Sequence, residues 1–382
     1  MTSYERFAAA FAHKEADRVP IDAGAGKSCK MVVGFYKKLL DYLGIQEEIR
    51  LCNPVSQLVY ASDKVLDALG CDIRCIDLGT GNPNNVISAA WEDDKYDYMR
   101  DMFQTGYRKP KAGGLYYDMY EFPLAEFEEE DDDKYQFPHP PSPDHKNMSR
   151  EQAIAYHKAG FPVVISEHLG NGFLQTGPRL FDFENWLVML MTEEERVKKL
   201  LDRYLETKFE YWDGLLDYYG AENVDMISEC DDLGTQNSLF VSNATLHDII
   251  LPYHKELYQH LKSKYGVKIY LHSCGSIAPV IPDLIDCGVD ALNPVQTTAN
   301  NMDPHMLKRE FGRDIVFWGG GIETQSTLPF GTPQQIKDAV RRNIDALGRD
   351  GGFVFAAIHN IQPDIPMENF QAMMDTALEY RF

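Results

Sequence analysis

The stretch VKIYLHSCGSIAPVIPDLIDCGVDALNP, residues 267–294, holds two short apolar runs with a helical segment between them. The first run, 267–272, is rich in Val, Ile, Tyr and Leu, and the second run, 289–294, has a similar character. A strand, a crossover helix and a second strand form one unit of a parallel sheet. This stretch decides the fold because the same alternation recurs through the second half of the chain.

Eight candidate strands can be placed along the chain, and eight is the number that closes a (β/α)8 barrel. The predicted strands are 19–24, 71–77, 162–167, 224–229, 267–272, 289–294, 314–319 and 352–357. The predicted helical stretches are 183–217, 244–264, 276–287, 303–311, 333–347 and 366–380. We expect an α/β fold: a single (β/α)8 TIM barrel over 1–382, with an N-terminal extension and a long insertion before the third strand.

Residues 91–150 form this insertion and are rich in Tyr, Asp, Glu and Pro. We predict an extended excursion without a helix of its own. The acidic run EFEEEDDDKYQFPHPPSPDH, residues 126–145, is expected to be a solvated surface loop, with docking of a partner as the alternative.

The composition limits the classes of function. The chain has 37 basic and 59 acidic side chains, a formal charge of −22, so it should repel nucleic acid. No apolar stretch approaches the roughly 20 residues that span a bilayer, and the N-terminus lacks the pattern of a signal peptide. Seven cysteines, an odd number in a long chain, suit reduced thiols. We therefore expect a cytoplasmic protein without a membrane segment.

Polar residues follow the predicted strands, and in a barrel of this type chemistry takes place at the carboxyl ends of the strands. Asp231 and Asp232, after the fourth strand, are candidate catalytic carboxylates that could hold a cation or share a proton, or could cap the next helix. The candidate substrate-binding residues at other strand ends are Glu167, Gln236, Gln296 and Gln325.

His272 and Cys274 lie two residues apart at the end of the fifth strand, so they share a face if the strand continues through them. An imidazole and a thiolate at one point suit Zn²⁺, which then needs a further ligand. His359 is the best placed residue, with Glu229 and Glu323 as the other options. The alternative is a buried Cys274 beside a hydrogen-bonded His272, without metal.

Five segments of the sequence together resemble the uroporphyrinogen decarboxylase superfamily. They are ERFAAAFAHKEADRVPID (5–22), DDLGTQ (231–236), YLHSCGSIAPVIPDLIDCGVDALNPVQ (270–296), FWGGGIETQSTLPFGTP (317–333) and HNIQPDIPMENFQAM (359–373). The resemblance covers nearly the whole chain and implies a (β/α)8 barrel with its site at the C-terminal mouth.

The resemblance also separates two activities. True uroporphyrinogen decarboxylases bind a polycarboxylate with two arginines in an M-R-Q-A-G-R segment after the first strand. Here the segment is AGAGKSCKMVVGFYKK (23–38), with Lys27 and Lys30 in place of arginines. Lysine cannot form a bidentate carboxylate clamp, so decarboxylation of a porphyrinogen is disfavoured.

The other branch contains the cobalamin-dependent methyltransferases of the methylcobalamin:coenzyme M type, which this sequence resembles more closely. In that branch the His and Cys of H-x-C-G bind zinc, which implies zinc at His272 and Cys274. Its third ligand, a Cys, aligns with His359 here. The resemblance thus implies zinc-dependent transfer of a methyl group between a corrinoid protein and a small thiol, folate, methoxy or methylamine compound. The sequence does not determine whether the methyl group moves to or from the corrinoid protein.

Cobalamin would arrive on a separate corrinoid protein, because no D-x-H-x-x-G segment is present. A homodimer is admissible. Two alternatives remain: a metal-free decarboxylase of another carboxylate, with Asp231 or Asp232 as proton donor, and a small-molecule-binding barrel without turnover.

Overall fold

The structure is a computed structural model and describes residues 1–126, 128–141 and 150–382. A parallel sheet of seven strands lies at its centre, and the spatial order of the strands follows the chain. The seven strands are Arg74–Cys75, Val163–Ile165, Met226–Cys230, Lys268–His272, Ala291–Asn293, Val316–Trp318 and Phe353–Val354.

An eighth segment, which comes first in the chain, closes this sheet, and the barrel strands are numbered one to eight from it, so that Lys268–His272 is the fifth and Val316–Trp318 the seventh. Ile21 forms a parallel bridge with Phe355, just after the last strand. The carbonyl of Ile21 accepts a hydrogen bond from the backbone N of Asp72, just before the first of the seven strands, at 2.8 Å. The predicted (β/α)8 barrel is therefore confirmed, and each predicted strand overlaps an observed strand or this bridging segment.

Large side chains fill the barrel interior. The rings of Tyr270 and Trp318 meet edge to face with their centroids 5.4 Å apart, and both residues are buried. Because alternate residues of a strand point to the same side, His272 points inward like Tyr270. Both faces of such a sheet are covered, which explains why the strands are apolar runs rather than alternating ones.

Helices surround the barrel. Among the described residues the α-helices are Ser3–Phe11, Val33–Leu43, Asp63–Ala68, Arg150–Lys158, Thr176–Phe181, Phe183–Thr192, Glu194–Tyr219, Asn243–Thr245, Leu251–Tyr265, Ile281–Cys287, Pro304–Phe311, Thr327–Phe330, Pro333–Gly348 and Met367–Glu379. A π-helical turn, Leu246–Ile250, precedes the helix Leu251–Tyr265, and 3-10 turns occupy Lys27–Cys29, Gly79–Gly81, Pro83–Asn85, Glu129–Lys134, Ala221–Asn223 and Ala278–Val280. Within these ranges, no helix combines the length and apolar character needed to cross a bilayer.

The helix predicted at 183–217 is interrupted. Glu193 leaves helical geometry with φ −133° and ψ 45°, so one helix ends at Thr192 and the next begins at Glu194. Elsewhere the helix ends follow capping chemistry. Thr332 and Gln335 form a reciprocal capping box before the helix Pro333–Gly348, which begins with proline.

The insertion before the third strand contains more regular structure than the sequence predicts. Its first part is a four-stranded antiparallel sheet of Ile87–Glu92, Tyr96–Asp101, Gly106–Pro110 and Asp118–Glu121. Cross-strand aromatic pairs stabilise such a sheet, and Trp91 stacks on Tyr98 with ring centroids 5.4 Å apart. A separate two-stranded sheet, Leu51–Asn53 with Leu58–Val59, lies earlier in the chain.

The prediction that 91–150 contains no helix is wrong. The acidic run forms the 3-10 helix Glu129–Lys134, and Asp132 is bound to Arg196 of the long helix Glu194–Tyr219 by contacts of 2.6 and 2.9 Å. This ion pair holds the middle of the run against the barrel instead of leaving it wholly solvated. Residue 127 and residues 142–149, which include the end of this run, lie outside the described residues.

Candidate metal centre and active site

His272 and Cys274 converge at the carboxyl end of the fifth barrel strand, Lys268–His272. Cys274 Sγ lies 3.3 Å from His272 Nε2. His272 is buried, whereas Cys274 is partly exposed at the barrel mouth. The spacing of the two residues therefore places an imidazole nitrogen and a thiol sulfur side by side.

His359 joins this pair from the end of the last strand. Its ring meets that of His272 at 70°, with the centroids 5.7 Å apart. One donor atom each of His272, Cys274 and His359 lies within 4.8 Å of the other two. The residue proposed from the sequence as a third ligand is thus within reach of the same ion.

The two other ligand options have different partners. Glu229 points outward from the barrel and accepts hydrogen bonds from Lys208 Nζ at 2.7 Å and Trp212 Nε1 at 2.6 Å. Glu323 accepts hydrogen bonds from the backbone N atoms of Ser326 and Thr327, at 2.9 and 2.7 Å. Both carboxylates therefore have local partners, and Glu323 also lines a cavity at the barrel mouth.

Asn293 fixes the orientation of His272. Its Nδ2 donates to the carbonyl of Trp318 at 2.9 Å, so its Oδ1 faces His272 Nδ1, at 2.6 Å. His272 Nδ1 must then carry the proton, and the lone pair of Nε2 points towards Cys274. Metal-binding histidines in proteins are usually held in this way by an acceptor on their other nitrogen.

Burial controls the protonation of the three donors. Burial lowers the pKa of His359 to about 4, with the neighbouring His272 contributing. Burial also lowers the pKa of His272, although Asp232 opposes this effect. The pKa of the Cys274 thiol is raised, first by burial and then by Asp232. Two neutral imidazoles and one thiol that a cation would deprotonate form a donor set that fits Zn²⁺.

Asp231 and Asp232 are adjacent in sequence but have different surroundings. Asp231 is fully buried and accepts hydrogen bonds from His254 Nε2 at 2.8 Å and from the backbone N atoms of Leu174 and Gln175 at 2.9 and 2.8 Å. Its contacts indicate a structural role, and its predicted catalytic role stays a prediction.

Asp232 lies beside the candidate metal-binding cluster of His272, Cys274 and His359. Its Oδ1 accepts a hydrogen bond from the backbone N of Cys274 at 2.8 Å and is 3.6 Å from His272 Nε2. The side chain is 36% exposed, enough to meet a substrate. Of the two predicted carboxylates, Asp232 is the one that is partly exposed and close to His272 and Cys274, and its catalytic role stays a prediction.

A cavity of about 310 Å³ opens next to Cys274 and His359. The predicted substrate-binding residues Gln236, Gln296 and Gln325 all line it. Gln296 Oε1 also accepts a hydrogen bond from the backbone N of Gly275 at 2.8 Å, which fixes the loop after Cys274. This volume is near the lower end of the range for ligand pockets and suits a small molecule.

Glu167 does not line this cavity. It is buried, with Lys30 Nζ 3.1 Å from Oε1 and Asn84 Nδ2 3.1 Å from Oε2. Burial raises the pKa of Glu167, but the charges of Lys30 and Lys27, together with hydrogen bonds from Lys30 and Ser166, more than offset this effect, so the pKa ends below its usual value. Glu167 neutralises Lys30, and its substrate-binding role remains a prediction.

Two residues near the site were missed in the sequence. Cys230 ends the fourth strand and faces His272 across the parallel register, which a strand alignment could have indicated. His168 is buried, and neither ring nitrogen has a hydrogen-bond partner among the described residues. A buried polar group without a partner is costly, so a ligand could satisfy it.

Comparison with known proteins identifies the family. The family model described as Uroporphyrinogen decarboxylase (URO-D) matches residues 175–380, more than half of the chain. The chain belongs to the uroporphyrinogen decarboxylase family. The match includes every residue of the candidate metal-binding cluster.

Within the uroporphyrinogen decarboxylase family, curated relatives match only part of this chain. The uroporphyrinogen decarboxylases of Chlorobium phaeobacteroides and Pelodictyon phaeoclathratiforme are each 26% identical to it over 145 residues. That stretch is 36% of this chain and 38% of either relative.

A solved structure extends the likeness over the full length. A methyltransferase from Methanosarcina mazei matches with a TM-score of 0.65 and 16% sequence identity, over 99% of each chain. At this identity the match shows a shared fold. The fold of this uroporphyrinogen decarboxylase family member is therefore also that of a methyltransferase.

Proposed function

We propose that this protein is a zinc-dependent methyltransferase that moves a methyl group between a corrinoid protein and a small acceptor or donor. The observation that carries the proposal is the convergence of His272, Cys274 and His359 beside the cavity at the barrel mouth. The full-length match to a methyltransferase fold supports it.

His272, Cys274 and His359 would hold the metal in this proposal and leave one position for the substrate. Zinc supplies Lewis acidity, which lowers the pKa of a bound thiol or polarises a methoxy or methylamine group. Asn293 keeps His272 Nε2 directed at the site. Asp232, 3.6 Å from that nitrogen, would take up a proton that the substrate releases.

The cavity determines which substrates fit. Its size favours a small methyl donor or acceptor, such as a thiol or a methylated amine, and its three glutamines offer amide groups that can orient a polar substrate. Gln236 and Gln325 lie at the exposed rim, so a corrinoid protein would have to present its cobalamin from this side.

Decarboxylation is the second candidate, and the name of the curated relatives favours it. In that reaction Asp232 would serve as the proton donor without metal. The buried Lys30 argues against it, because Glu167 already neutralises this lysine and leaves it unavailable to a substrate carboxylate.

Metal analysis separates the two candidates. Protein purified without a chelator should contain about one zinc per chain, and Cys274→Ala should lose it. Cys287→Ala, which removes a buried thiol on the outer helix Ile281–Cys287, is the matched control and should keep the metal. The zinc-loaded protein should then demethylate methylcobalamin with a thiol acceptor. A purified protein that contains no metal and binds no added zinc contradicts the proposal.

A further inference from the structure

Two separate groups of potential ligands share His272. The first triad is the candidate metal-binding cluster of His272, Cys274 and His359. In the second triad, one donor atom each of Cys230, Asp232 and His272 lies within 4.8 Å of the other two. His272 is the one residue that belongs to both triads.

The parallel register explains why Cys230 lies beside His272. Cys230 is the last residue of the strand Met226–Cys230, and its Cα pairs with that of His272 on the neighbouring strand. Neighbouring strands lie about 4.8 Å apart, so paired residues on the same face bring their side chains together.

The residue before Cys230 indicates which way Cys230 points. Glu229 faces outward, where Lys208 and Trp212 donate hydrogen bonds to its two carboxylate oxygens. Because successive side chains alternate across a strand, Cys230 points into the barrel.

Both triads depend on the same nitrogen of His272. Asn293 accepts a hydrogen bond from Nδ1, so a metal ion must bind at Nε2. Cys274 Sγ of the first triad is 3.3 Å from Nε2, and Asp232 Oδ1 of the second is 3.6 Å from it. One lone pair binds one ion at a time, so the two triads are alternative positions for a single ion.

The two positions differ in their access to the cavity at the barrel mouth. Cys274 and His359 line this cavity, whereas Cys230 and Asp232 do not. An ion in the first triad can therefore meet a substrate, and an ion in the second triad is withdrawn from it.

Charge permits both positions. In the second triad, the Cys230 thiolate and the Asp232 carboxylate cancel the two charges of Zn²⁺. In the first triad, the Cys274 thiolate cancels one charge, and the carboxylate of Asp232, 3.6 Å from His272 Nε2, is close enough to offset the other. Both sets also consist of atoms that zinc accepts as ligands. An exchange between the triads therefore leaves no uncompensated charge in this mostly buried site.

We propose that the metal has a second position, in which Cys230, Asp232 and His272 bind it away from the cavity, and that this position excludes the first. The inference rests on the proposed zinc site and goes beyond it, because it gives the same ion a state in which it cannot meet a substrate. The second triad should bind zinc more weakly than the first, since a carboxylate takes the place of an imidazole.

Cobalt titration of a variant without the first triad tests the inference. Cys274→Ala/His359→Ala removes two of the three ligands, and Co²⁺ is added in excess with a phosphine reductant because the weaker second triad would lose metal during purification. This variant should bind one cobalt per chain, with a sulfur-to-cobalt charge-transfer band of about the wild-type size, since each triad has one thiolate. Adding Cys230→Ser should abolish the band, whereas adding Cys287→Ser, the matched control on the outer helix, should leave it.

Each result supports or overturns the inference. A Cys274→Ala/His359→Ala protein that binds no cobalt, or binds it without the band, overturns the inference, while metal binding by the wild type keeps the proposed function. Two cobalt ions per wild-type chain overturn it as well, because the triads would then not exclude each other. A wild-type protein that binds no cobalt or zinc overturns the proposed function and the inference together.

Circular dichroism checks that each variant folds. If the double variant does not fold, Cys274→Ala alone takes its place. Its band should persist and should disappear when Cys230→Ser is added, and cobalt bound without a band in Cys274→Ala contradicts the inference.

Discussion

Asn293 Oδ1 accepts a hydrogen bond from His272 Nδ1 at 2.6 Å while Asn293 Nδ2 donates to the carbonyl of Trp318. The backbone of the seventh strand thereby determines the tautomer of a histidine on the fifth. The amide cannot rotate without placing its NH₂ group against the imidazole N–H. A polar network in the barrel interior thus keeps one nitrogen lone pair directed at the candidate metal site.

Asn293→Leu should weaken zinc binding about 10- to 100-fold, because His272 loses the acceptor that fixes its ring. Competition with a chromophoric chelator measures the affinity. Asn369→Leu is the matched control: it also removes a buried amide that donates to backbone carbonyls, those of Leu328 and Gly331 at 2.9 and 2.8 Å, but makes no contact with His272. Equal loss of affinity in both variants would mean that Asn293 acts only through general stability.

Asp231→Asn should reduce the free energy of unfolding by about 1–3 kcal/mol, because the buried carboxylate holds His254 and two backbone N–H groups. Asp232→Asn, whose side chain is partly exposed, should change stability little and reduce turnover instead. Urea denaturation and methyl transfer assays separate the two effects. Full stability with lost turnover in Asp231→Asn would assign the catalytic role to Asp231.

Lys208→Met should destabilise the protein by about 3–5 kcal/mol, because it leaves Glu229 charged and unpaired in a fully buried position. The double variant Lys208→Met/Glu229→Gln should recover much of this loss. Denaturant unfolding of the two single variants and the double variant gives the coupling energy. Additive losses would show that the pair does not act as a unit.

His359→Ala should lower zinc affinity, whereas His359→Cys should keep the metal and add a sulfur-to-cobalt band after cobalt substitution. His305→Ala, on the exposed surface of the helix Pro304–Phe311, is the control and should bind metal like the wild type. Unchanged affinity in His359→Ala would remove His359 from the ligand set.

Much of the barrel could be predicted because its strands are buried on both faces and read as apolar runs between helices. The proximity of His272 and Cys274 could be predicted as well, since their two-residue spacing sets a common direction once the strand is known; their role as metal ligands stays a prediction. The position of His359 required only that the fifth and the last strand end at the same rim of the barrel, although two strands lie between them.

The remaining features depend on contacts between distant segments. Asp231 and Asp232 look equivalent in the sequence, and only His254, on a later helix, distinguishes them. Glu167 forms an ion pair with Lys30, which lies well over a hundred residues earlier in the chain. In the insertion, frequent charged residues hide the alternation that would have indicated the antiparallel strands.

Glu229 and Cys230 point to opposite faces of the sheet, and this arrangement limits the insertions and deletions that the strand can accept. One residue added to or removed from the strand Met226–Cys230 would exchange the two side chains between the faces of the sheet. The lysine on the outer helix would then face a thiol, and the barrel mouth would receive a carboxylate. We therefore expect selection for function to eliminate insertions and deletions in Met226–Cys230 even at positions where single substitutions survive. Deep mutational scanning that includes single-codon deletions measures this difference.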